Sequence, residues 1–171
     1  MKKLALMILL ILLLAMPVWA SWKSPTGHTI SAWFDEELAY DGNISTSAYT
    51  TMGPYAGTSS LALLISPSIL CNQIRTLASA TSGNQVLLSA GVYLDGNYVA
   101  AMLGPPYLDS TPRWYTRNLT GYKSYVIDEV RITGYNPYPY PIRIDIWEFE
   151  FNQIAVRPLV NSSLAKGRLV K

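Results

Sequence analysis

Ile142-Arg143-Ile144-Asp145-Ile146-Trp147-Glu148-Phe149-Glu150-Phe151 alternates between apolar and polar residues on both sides of Ile146-Trp147, the period of a β-strand. The alternation changes phase. Ile142, Ile144 and Ile146 share one face, whereas Trp147, Phe149 and Phe151 share the other. A strand with two apolar faces, or one twisted in its middle, belongs inside a sheet rather than at its edge.

The chain on its N-terminal side reads the same way. Thr58–Ser66 is a short apolar run bounded by Gly57 and Pro67, and a turn at Ser66-Pro67-Ser68 leads to a second strand over Ile69–Ser79. Gln85–Leu94 and Asn97–Leu103 flank Asp95-Gly96, the dipeptide that most favours a two-residue hairpin turn. Three prolines keep Gly104–Pro112 irregular, and Arg113–Thr120 and Tyr125–Thr133 follow as strands around Gly121. A short strand is expected after the Pro25-Thr26-Gly27 turn. About eight short strands with turn chemistry at each junction predict an all-β fold, an antiparallel two-sheet β-sandwich or jelly roll. Trp147 or Ile146 is expected to be deeply buried.

Three segments are expected along the 171 residues. Residues 1–20 read as a signal peptide: Lys2 and Lys3, an apolar run from Leu4 to Met16, and Val18-Trp19-Ala20 before the cleavage point. That run is shorter than the ~20 residues needed to span a bilayer, so no stable membrane span is expected after cleavage. Residues 21–152 form the sandwich, and 153–171 form a basic tail expected to be mobile. A secreted, extracellular protein follows. Residues 21–156 hold seven basic side chains against eleven acidic ones, a poor footing for nucleic acid. Cys71, the only cysteine, reads as a small buried hydrophobe, and no intramolecular disulfide can form. His28 is the only histidine; zinc binding or catalysis would need partners that it lacks in sequence, so it reads as a surface or turn residue.

Ala39–Ser47 (AYDGNISTS) follows three carboxylates, Asp35, Glu36 and Glu37. Asp41-Gly42-Asn43 makes a tight turn that directs oxygens inward, which suits either a hard cation or a plain loop turn. Asn43-Ile44-Ser45, Asn118-Leu119-Thr120 and Asn161-Ser162-Ser163 are glycosylation sequons. Tyr135-Asn136-Pro137-Tyr138-Pro139-Tyr140 is rigidified by proline. It reads either as a stacking platform for a ligand or as packing at the sandwich rim.

The order of these pieces resembles the galactose-binding-like β-sandwiches, which include discoidin domains, coagulation factor V/VIII type C domains and family 32 carbohydrate-binding modules. It is carried by Ala39–Thr46, Asn72–Arg75, the hairpin Val92–Val99, Trp114, Val130-Arg131-Ile132 and Trp147–Phe151, across roughly Ser31–Asn152. The resemblance implies a structural calcium ion held by Asp41, Asn43, Thr46 and Glu148, with Glu150 competing for the last place. It also implies an aromatic ligand contact from the loop before the last strand, so a ligand site is expected at Tyr135, Asn136, Tyr138 and Tyr140, with Tyr107, Arg113 and Trp114 of the other proline-rich loop on the same rim. The expected function is non-catalytic recognition of carbohydrate or a glycoconjugate. The alternative is a structural or cell adhesion protein with a protein or membrane partner. A small glycoside hydrolase, using two of Asp35, Glu36, Glu148 and Glu150, is the third reading.

Overall fold

The computed structural model describes residues 20–29, 31–55, 58–81, 86–104 and 106–155. The expected signal peptide, apart from Ala20, and the tail from residue 156 lie outside them. Ten strands follow in order: β1 (Ala20–Lys23), β2 (Gly27–His28), β3 (Ala48–Met52), β4 (Thr58–Ala80), β5 (Val86–Leu94), β6 (Asn97–Ala101), β7 (Tyr107–Leu108), β8 (Arg113–Asn118), β9 (Tyr125–Tyr135) and β10 (Ile142–Ile154). Two short 3-10 turns, Glu36–Ala39 and Thr120–Tyr122, are the helical elements among the described residues.

All strand pairs are antiparallel and fall into two groups that share β4. In the first sheet β10 lies between the second half of β4 and two short strands, β3 on its first half and β1 on its second; β8 continues beyond β4. In the second sheet the first half of β4 pairs with β2 and β9, and β5 follows, carrying β6 and β7. The antiparallel sandwich expected from the sequence is therefore the observed fold.

β10 explains its own phase change. Its register against β4 shifts between Ile146 and Glu148, a bulge at Trp147. One extra residue turns the second apolar set to the same side as the first. Ile142, Ile144, Ile146, Phe149 and Phe151 thus all enter one core, with Leu61, Leu63, Ile74, Leu88, Ile127 and Ile132. Ile146 is fully buried as expected, while Trp147 is half-buried and donates its Nε1–H to Ser79 Oγ at 3.2 Å.

The break expected at Pro67 is not a break between strands. β4 runs through a cis Ser66–Pro67 bond as one 23-residue strand, its pairing with β9 interrupted between Leu64 and Ile69. Four unpaired positions on one side accommodate the proline, which lacks the N–H that a ladder requires. Asp95 and Gly96, at φ 51° and 75°, form the hairpin turn joining β5 to β6. Cys71 is buried and free, and burial pushes its thiol up to about 11.

Candidate functional site

The loop between β9 and β10 is built around Asn136. Its side chain is fully buried, its Nδ2 donates to Gly53 O and Tyr140 O, both at 2.9 Å, and its Oδ1 accepts from Tyr138 N at 2.9 Å. It therefore serves as internal scaffold and presents nothing to a ligand, unlike its place in the expected ligand set. The tyrosines are what it holds. Tyr138 and Tyr140 stack with ring centroids 5.3 Å apart and 16° between planes. Tyr138 is half-buried, whereas Tyr140 is exposed.

Three neighbouring tyrosines extend this surface. Tyr55 N donates to Tyr138 O at 2.8 Å, and the Tyr55 ring is 73% exposed. Tyr135 and Tyr107 stand opposite Leu87 on the strands either side of β5, both exposed on the outer face of the second sheet. The phenols of Tyr140 and Tyr107 lie near enough to Tyr138 to raise its pKa electrostatically, after the larger effect of burial. Beside Gly53 a groove of about 340 Å³ is lined by Thr50, Thr51, Thr58, Ser59 and Ser60 among others. Those hydroxyls carry no motif, and only the pairing of β3 with β10 and of β4 with β9 assembles them. The Tyr-Pro alternation was the one legible signal.

Arg113 and Trp114 belong to β8, in the first sheet. Arg113 pairs with Asp109 at 3.1 Å. Trp114 stands on the outer face of the first sheet, opposite Leu77, with the Arg75 guanidinium 4.4 Å from its ring centroid. Arg75 is also 4.3 Å from the Trp22 ring centroid and forms an ion pair with Glu150. Trp22, Arg75 and Trp114 make a part-exposed cation–π stack on the outer face of the sheet.

The Asp41 loop meets β10, as the resemblance implied. Gly42, at φ 76°, donates its N–H to Glu148 Oε2 at 3.0 Å. Asp41 Oδ1 accepts from Asn43 N at 2.8 Å, and Asp41 Oδ2 accepts from Thr46 Oγ1 at 2.9 Å. Glu150 points to Arg75, so Glu148 is the carboxylate that reaches the loop. Only 5% of Glu148 is exposed, and its Oε1 is buried with no hydrogen-bond partner. Burial, followed by repulsion from Glu150 and Asp41, raises its pKa to about 6 against the favourable Gly42 N–H. A buried carboxylate oxygen with unmet lone pairs, beside a second carboxylate and loop oxygens, fits a hard cation.

No family model and no curated protein matches this chain in sequence. Solved structures do match in fold. The family 32 carbohydrate-binding module of AlyQ in complex with 4,5-unsaturated mannuronic acid superposes with a TM-score of 0.53 at 18% identity, covering 77% of this chain and 97% of that one. The C-terminal domain of a chitobiase from Bacteroides fragilis gives 0.55 at 15% identity, covering 80% and 100%. The family 32 module of Clostridium perfringens NanJ, in complex with galactose, gives 0.51 at 16%, covering 78% and 91%. This chain has the galactose-binding-like β-sandwich fold of those modules.

Proposed function

We propose that this protein is a secreted, non-catalytic recognition module that binds carbohydrate at the tyrosine-lined end of its sandwich. The carrying observation is the stacked Tyr138–Tyr140 pair, presented on a loop that Asn136 fixes from below. Flat rings suit the apolar face of a pyranose, and the adjacent hydroxyl groove suits its polar edge. A loop whose backbone is already fixed loses little entropy on binding. The complexes of similarly folded modules with 4,5-unsaturated mannuronic acid and with galactose support the same reading.

Calcium, held by Asp41, Asn43, Thr46 and Glu148, is proposed as a structural ion. Its charge would neutralise the buried Glu148 carboxylate and tie the early loop to the last long strand. Of the carboxylates Asp35, Glu36, Glu148 and Glu150, Glu150 pairs with Arg75 and Glu148 with the Asp41 loop, which favours recognition over catalysis. The test is an array of neutral, uronic and amino-sugar oligosaccharides probed with the full chain. Retention of a defined sugar class supports the proposal; uniform absence of retention favours the adhesion reading.

A further inference from the structure

The first 3-10 turn brings two carboxylates to the lone histidine. His28, in β2, pairs with Leu63 of β4, while Glu36 and Glu37 open the turn that follows Asp35. One donor atom from each of His28, Glu36 and Glu37 lies within 4.8 Å of the other two. His28 and Glu36 are half-buried and Glu37 is exposed. The partners that the sequence withheld from His28 are thus supplied by the fold.

Two further contacts hold this group in place. His28 Nδ1 and the Tyr40 hydroxyl are 2.8 Å apart, which fixes the ring plane and leaves Nε2 as its remaining nitrogen. Holding one imidazole nitrogen in a hydrogen bond while the other ligates is the usual arrangement behind a metal-bound histidine. Glu36 Oε1 accepts from Ser31 Oγ at 3.1 Å and from Ser31 N at 3.4 Å, which anchors the second donor.

We infer that His28, Glu36 and Glu37 form a binding site for a borderline divalent cation such as Zn²⁺, distinct from the all-oxygen Asp41 loop. One imidazole nitrogen and two carboxylates suit zinc, whereas calcium favours oxygen donors alone. Donors around a tetrahedral zinc, with bonds of about 2.0–2.2 Å, stand roughly 3.3–3.6 Å apart, so the side chains need to close by only ~1 Å. The exposed side near Glu37 leaves the fourth position to water or to a ligand's oxygen.

Because His28 is the only histidine, its ring protons give a single set of NMR signals that report on this site alone. The experiment titrates Zn²⁺ into the full chain held in saturating Ca²⁺, following those signals and the melting temperature. The expected result is a shift complete near one equivalent, with affinity at least ~10-fold weaker in Glu37→Gln and in Glu36→Gln. Glu37 is exposed, so Glu37→Gln keeps the fold, which its unchanged melting curve without zinc verifies. Fixed His28 signals at millimolar Zn²⁺, or equal affinity in wild type and both variants, would overturn the inference.

Discussion

Asn136 and Glu148 are both buried polar residues at the margins of the sandwich, and they differ in how far their hydrogen bonding is satisfied. Asn136 uses its amide nitrogen and its oxygen on the backbone of its own loop and of Gly53. Glu148 has one oxygen on the Gly42 N–H and one buried with nothing. The first arrangement is complete, so the loop it builds can offer its aromatic rings outward. The second is incomplete, and a cation is the partner that would finish it. The satisfied group is a scaffold, and the unsatisfied one, beside a second carboxylate, is where a cation would fit.

The sharpest way to break this contrast is Asn136→Ala. It leaves several carbonyls and the Tyr138 N–H without their partner, at about 1–3 kcal/mol each where they stay dry, so a loss of about 3 kcal/mol or more is expected in chemical denaturation. A loss below 1 kcal/mol would show that water replaces the side chain. Glu148→Gln should behave oppositely. In EDTA at neutral pH it should melt no lower than wild type, because it removes a buried charge while keeping an acceptor for Gly42 N–H. Wild type should gain about 2.7 kcal/mol in Ca²⁺ at 100 times its dissociation constant, and Glu148→Gln should lose that gain. Coincident wild-type melting curves with and without Ca²⁺ would remove the ion.

Trp114→Ala sharpens the assignment of the other aromatics. Its contact with Arg75 is expected to cost about 1–2 kcal/mol of stability with sugar affinity unchanged. A fall in affinity at unchanged stability would return Trp114 to the ligand surface. The smallest effect concerns pH. The folded pKa of Glu148, about 6, lies above that of an unfolded glutamate, so the folded state takes up the proton first. Metal-free protein should therefore gain stability from this group as pH falls from about 7 through 6 towards 4.5. Glu148→Gln should lack that component, and the difference between the two pH–melting profiles measures it.

The sandwich was legible because alternation and turn chemistry are local, and the Asp95-Gly96 hairpin formed as its residues require. Pro67 misled because a proline that ends a strand and one that sits in a bulge look alike until pairing is known. The phase change in β10 was visible, but its cause, a bulge at Trp147, depends on the register with β4. Trp114 and Tyr135 were grouped as rim aromatics, yet strand pairing sends them to different sheets. The roles of Asn136 and His28 were hidden for the same reason. Their partners, Gly53 and Glu36, come from chain segments whose approach no spacing rule announces.

The most direct test of the recognition site is calorimetric titration of wild type, Tyr138→Ala and Tyr140→Ala with the sugar class retained on the array, with melting temperatures measured in parallel. Wild type is expected to bind with a dissociation constant of about 0.1–1 mM, or about −4 to −5.5 kcal/mol. Loss of the exposed Tyr140 ring should weaken binding about tenfold, a change of about 1.4 kcal/mol, with little change in melting temperature. Equal affinity in all three proteins would contradict a site on the stacked tyrosines.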